Sequence, residues 1–112
     1  MRQVSVMQQV SNDEGVVPLA DLFRLLGDPT RLRIVLTCVD DRRAVGSIAE
    51  SLGLSPSLVS HHLRLLRAAR ILRAERQGKQ VFYMAADRHI SGMLTEMLEH
   101  VAEPMTEFSP DT

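Results

Sequence analysis

Residues 45–72 read VGSIAESLGLSPSLVSHHLRLLRAARIL, and their reading decides the fold. A short helix is expected from Gly46 to Leu52, closed by Gly53, which can take the left-handed conformation of a tight turn. Ser55 suits the cap of a second helix, and Pro56 fits a first turn, where the missing N–H would be unpaired anyway. Helix, glycine-containing turn and helix together make a helix-turn-helix pattern. At 100° per residue, Leu58, Val59, His62, Leu63, Leu65 and Leu66 share one arc of the second helix. Ser57, Ser60, His61, Arg64 and Arg67 share the other, offering hydroxyls, an imidazole and guanidiniums. That inventory suits phosphates and base edges in a major groove. Solvent alone also asks for a polar face, but this one sits on the second helix of the motif. The adjacent His61 and His62 point about 100° apart and do not readily chelate one ion. His62 is expected to be packed and hydrogen-bonded, and His61 to stand at the edge of the DNA-facing side.

After Arg70 the apolar period changes from helical to alternating. ILRAERQ, then Gly78-Lys79, then QVFYMA predicts a hairpin with glycine first in a two-residue type II′ turn. Arg73, Arg76 and Lys79 are expected to cluster towards its tip, within reach of backbone phosphates, although such charges also discourage edge-to-edge pairing. Gly78-Lys79 is no phosphate-binding loop, because no upstream glycine has the right spacing. Upstream, Pro18 opens PLADLFRLLG with an apolar stripe of Leu19, Leu22, Phe23, Leu25 and Leu26. Asp28 and Pro29 start the next helix, whose Leu32, Ile34, Val35, Leu36 and Val39 face a core.

The chain has 112 residues, enough for one domain. The expected division is a flexible arm over 1–16, a winged-helix domain over 17–103 and a flexible tail over 104–112. Net charge is −1, which alone argues against a nucleic-acid partner. Its distribution argues the other way. Residues 56–86 carry six basic residues against one acidic, a net +5, while the remainder has seven against thirteen, a net −6. The single cysteine, Cys38, cannot pair within the chain and reads as a core thiol. A free thiol, no apolar run near the roughly 20 residues of a membrane span, and no continuous hydrophobic N-terminus predict a cytoplasmic protein. Nothing assembles a nucleophile, a base and a pocket, so an enzyme is not expected.

The last helix is expected from about Asp87 to Ala102, with Ile90, Leu94, Met97, Leu98 and Val101 as its apolar stripe. His89 and His100 are eleven residues apart, about 16 Å along a helix, so no single zinc ion can bind both. An antiparallel second copy resolves the spacing. With a two-fold axis near residue 95, His89 falls opposite the partner's His100, and Asp87 opposite the partner's Glu103. Each end of the crossed pair then gathers Asp87 and His89 from one chain with His100 and Glu103 from the other. The symmetry makes two such sites per dimer. Singly, these residues have ordinary roles: Asp87 suits a helix N-cap, and His100 complements the dipole at a C-terminus. Asp87 also lies off the helical phase of the others and must reach inward from the first turn.

Taken together, LFRLLGDPTRLRIV, SIAESLGLSPSLVSHHLRLLRAARIL, RQGKQVFY and DRHI…LEHVAE resemble the ArsR/SmtB metal-sensing repressors. The likeness spans roughly Leu19 to Glu103, and the Asp87, His89, His100, Glu103 pattern resembles the zinc-sensing branch. It implies a homodimer that releases operator DNA when metal binds. It also implies that the far nitrogen of His100 bonds the backbone carbonyl of Arg70, linking metal to the DNA-reading helix. Family members that sense arsenic, cadmium or lead usually carry paired cysteines on the first helix of the motif or near the N-terminus. This chain has none there.

The expected protein is mostly α with a β-hairpin wing: a winged helix-turn-helix, homodimeric through its terminal helices. It would bind a double-stranded, inverted-repeat operator, with no membrane partner. Two imidazoles and two hard oxygens suit Zn²⁺, or Co²⁺ as a substitute, better than soft Cu⁺. Two alternatives stay open. One is a winged-helix repressor with a non-metal inducer or none; the other is a winged-helix module for protein partners.

Overall fold

The computed structural model describes residues 14–104, and the residues flanking them, 1–13 and 105–112, hold most of the expected arm and tail. Among these described residues, five helices and three strands follow in the order α1 (Val16–Leu26), α2 (Pro29–Asp40), β1 (Arg43–Ala44), α3 (Val45–Leu52), α4 (Pro56–Ala68), β2 (Leu72–Gln77), β3 (Gln80–Ala85) and α5 (Arg88–Ala102). Val16 already belongs to α1, so that helix begins two residues before Pro18. Pro18 still falls in its first turn, where no intrahelical donor is lost.

Local chemistry sets most helix ends. Asp28 caps α2 by accepting from the Arg31 N–H at 2.9 Å, with Pro29 in the first turn. Ser55 caps α4 through the Leu58 N–H at 3.2 Å. Gly53 closes α3 at φ 66°, and the Leu54 N–H returns to the Ala49 carbonyl at 3.0 Å. The α3–turn–α4 unit is therefore the helix-turn-helix that the sequence predicts. Gly78 takes φ 63° at the first position of the two-residue hairpin loop, and Gln77 pairs with Gln80.

The sheet runs β1-β3-β2, all antiparallel. β1 was not expected: two residues show no alternation, and only pairing with Phe82 and Tyr83 makes them a strand. The core joins Ile34, Val35 and Cys38 of α2, Ile48 of α3, Val59, Leu63 and Leu66 of α4, then Ile71, Leu72, Ile90 and Leu94. The buried side of α4 is narrower than the expected arc, since Leu58 and Leu65 are exposed and the helix packs through a single ridge.

Both terminal helices carry apolar surface that this core does not use. On α1 only Leu26 is buried, while Leu19 and Phe23 are exposed. On α5 the buried stripe stops at Leu94; Met97 and Leu98 are half exposed, and Val101 is 78 % exposed. None of the described helices is long and apolar enough to cross a membrane.

Candidate DNA interface and metal centre

On α4, burial of Val59, Leu63 and Leu66 turns the opposite side outward. Ser57, His61, Arg64 and Arg67 are exposed, and Ser60 is partly so. None of these side chains forms an ion pair or hydrogen bond among the described residues, so their polar groups are available to an outside partner. The wing differs in detail from expectation. Arg76 pairs with Val81 next to the turn and Lys79 lies in it, but Arg73 pairs with Met84 at the other end of β2. Four residues of strand, about 13 Å, separate Arg73 from the last rung at Gln77. Arg73 also points to the opposite face from Arg76 and donates to Glu75 Oε2 at 2.6 Å. The tip charge is therefore Arg76 and Lys79, with Arg73 at the base. No sequence signal announces that Arg42, just before β1, lies 4.9 Å from the centre of the Phe82 ring on β3.

His62 departs from the expected hydrogen-bonded state. Its Nδ1 is buried with no hydrogen-bond partner, as is Arg31 Nε nearby, which lies 3.8 Å from Asp28 Oδ2. Burial first, and then the Arg31 cation, hold the His62 pKa below the ordinary histidine value. The Arg31 backbone N–H lowers the Asp28 pKa at the cap of α2. These three groups form a polar seam between the start of α2 and α4.

The expected metal ligands lie at the two ends of α5. Asp87 is the N-cap: its Oδ1 accepts from the His89 and Ile90 N–H groups, both at 3.0 Å, and Oδ2 takes part in neither bond. His89 is exposed beside it. At the other end, His100 Nδ1 lies 3.9 Å from Glu103 Oε1, both side chains largely open to solvent. The structure thus places two pairs at opposite ends of α5, Asp87 with His89 and His100 with Glu103. Among the described residues, no three His, Cys, Asp or Glu side chains of one chain are grouped to hold a metal ion. No hydrogen bond joins His100 to the Arg70 carbonyl within the chain. Arg70 instead shares a cavity of about 840 Å³ with Asp87 and His89, walled on the far side by Leu19, Asp21 and Leu22 of α1. Cys38 is 1 % exposed, and burial pushes its thiol up to about 12. It is a packed core group whose burial favours the protonated thiol at neutral pH.

A family model described as bacterial regulatory protein, arsR family, matches residues 28–74, from the cap of α2 into the wing. A transcriptional repressor SmtB homolog of Synechocystis sp. is 33 % identical over 98 residues, covering 88 % of this chain and 74 % of that protein. The NMR structure of the cadmium metal-sensor CMTR from Mycobacterium tuberculosis has a TM-score of 0.65 at 39 % identity, covering 80 % of this chain and 94 % of that one. A homodimeric winged helix-turn-helix DNA-binding domain from Mycobacterium bovis shares the fold at a TM-score of 0.71 and 20 % identity, over 97 % of this chain and all of that one.

Proposed function

This chain belongs to the ArsR family of bacterial regulatory proteins, a family of metal-sensing transcriptional repressors and not of enzymes, and from that premise we propose a zinc-released homodimeric repressor. Two α4 helices in a dimer would read successive major grooves of an inverted-repeat operator, with Arg76 and Lys79 at the backbone beside each half-site. Ser57, Ser60, His61, Arg64 and Arg67 face the groove, and Arg73 adds positive charge at the wing base.

The observation that supports the metal reading is the placement of Asp87 with His89 and of His100 with Glu103 at opposite ends of α5, with no larger group of ligating side chains among the described residues. Asp87 and His89 of one subunit with His100 and Glu103 of the other supply two nitrogens and two oxygens, and a dimer holds two such sites. The donors fit Zn²⁺ or Co²⁺, and the single cysteine is too deeply buried to offer a thiolate to softer cadmium. The metal would supply a cross-link between the terminal helices. The chain's own residues carry its effect to the DNA. The cavity puts Arg70, at the end of α4, beside Asp87 and His89. His100 arriving there from the partner subunit would find the Arg70 carbonyl as an acceptor for its far nitrogen. Metal then favours one dimer arrangement over another, which is the differential affinity that release of DNA requires.

The test uses an operator duplex selected from random sequence by the metal-free protein. Zn²⁺ should weaken binding of the wild type about 10-fold or more, within the usual range of allosteric coupling. His100→Ala should bind the same duplex equally well and ignore zinc. If both proteins bind DNA and neither responds, α5 is a dimer seam alone and the inducer is something else.

A further inference from the structure

Among the described residues, the cavity at the start of α5 contains two carboxylates, and the proposed ligand set uses only one. Asp87 caps the helix and offers Oδ2 to metal; Asp21, on the α1 wall of the same cavity, has no assigned task. We propose that Asp21 is a positioning residue of the interfacial site, its carboxylate accepting the hydrogen bond from the His89 ring nitrogen that does not bind metal. This rests on the metal reading above.

The chemistry starts from the imidazole. A histidine that ligates through one nitrogen keeps an N–H on the other, and that N–H needs an acceptor to fix the tautomer and the ring plane. Two histidines meet at each site, so two acceptors are needed. The Arg70 carbonyl serves the incoming His100 of the partner subunit. Of the remaining described residues that wall the cavity, Asp21 is the only anionic one left for His89. It is not itself a ligand in this arrangement, since Asp21, Asp87 and His89 do not stand close enough together to hold an ion.

Asp21 is free to take this part. Its present partner is Arg24, one helical turn away at 2.7 Å, with both side chains more than half exposed. A pair so exposed contributes little, and it occupies Oδ1 alone. α1 itself is held in place, because Leu26 is buried and Leu22 and Leu25 pack on the core. Asp21 therefore approaches the cavity from a fixed wall, as a group that orients a ligand must.

The experiment is a Co²⁺ titration of the full-length protein followed by its visible absorption, with metal-free operator binding as the check of folding. Asp21→Ala is expected to bind Co²⁺ about 10- to 100-fold more weakly, the usual cost of losing such an acceptor. Its absorption bands should keep their wild-type positions, because the ligands are unchanged. Asp21→Asn, which keeps an acceptor oxygen, should recover part of the affinity. In the Zn²⁺-loaded wild type the His89 ring N–H should be visible by NMR as a slowly exchanging proton, and it should be lost in Asp21→Ala. Wild-type Co²⁺ affinity in Asp21→Ala, where His89→Ala has lost the metal, overturns the role of Asp21 and leaves the site standing. Shifted absorption bands in Asp21→Ala overturn it differently, by making Asp21 a ligand. Wild-type affinity in His89→Ala would remove the interfacial site itself.

Discussion

Arg70 holds at the end of α4 the left-handed backbone that Gly53 holds at the end of α3. The two ends are bonded alike: the Gly53 N–H reaches the Glu50 carbonyl at 3.4 Å, and the Arg70 N–H reaches the Arg67 carbonyl at 3.0 Å. Each next residue closes the longer loop, Ile71 onto Leu66 at 2.9 Å just as Leu54 onto Ala49. A side chain at φ near 60° costs roughly 1 kcal/mol, and burial of Ile71 offsets it at Arg70. At Gly53 a Cβ would meet no atom within 4 Å, so the conformation alone sets its cost. Gly53→Ala should therefore lower stability in urea by about 1 kcal/mol; no change would mean that the turn shifts to another conformation. His62 makes a prediction of a different kind. Its pKa is lower folded than unfolded, so the folded state resists protonation. Stability is full above the unfolded value, about 6.5, and is lost as pH falls through it towards the folded one. His62→Gln should flatten the decline of Tm between pH 7 and 5. A decline as steep as the wild type's would place the responsible group elsewhere.

In the proposed repressor α4 does two jobs on two sides, and substitutions should separate them. Leu63→Ala removes a side chain that is 1 % exposed and should cost about 2–5 kcal/mol of stability. Arg64→Ala, on the open side, should leave stability within about 0.5 kcal/mol and weaken operator binding. If Arg64 meets a phosphate, the salt dependence of binding should also fall, by about one unit of slope. This division was legible in the sequence because caps and period are local: Asp28, Ser55, Gly53 and Gly78 act within four residues of themselves. What escaped depends on contacts distant in the chain. β1 exists only through β3. Arg73 was placed near the wing tip because alternation shows a strand but not how far along it each rung lies. Leu58 and Leu65 sit on the apolar arc, yet no neighbouring element covers them. In the candidate metal centre, the His100–Glu103 pair was readable from a three-residue spacing. The place of Asp21 was not, because α1 and the start of α5 come to wall one cavity only in the folded chain.

At the scale of the molecule, the unresolved account is apolar. Leu19 and Phe23 on α1 and Met97, Leu98 and Val101 on α5 remain exposed in one chain, although the sequence placed them in regular stripes. A stripe whose first half is buried within the chain and whose second half is bare is what a helix shared between two cores looks like. In the proposed dimer, the same seam that covers these residues also brings the two ligand pairs together. Oligomeric state and metal binding therefore depend on one surface and should fail together. Leu98→Glu with Val101→Glu places two charges in that seam and touches neither the core, which ends at Leu94, nor the groove-facing side of α4. Sedimentation should show a folded monomer. Its Zn²⁺ affinity should drop steeply, since Asp87 and His89 would meet no His100 or Glu103 from a partner. Operator affinity should drop as well, because one reading helix spans only a half-site. A monomeric variant that still bound Zn²⁺ with wild-type affinity would show that the ligands come from a single chain, and the two-chain arrangement would have to be abandoned.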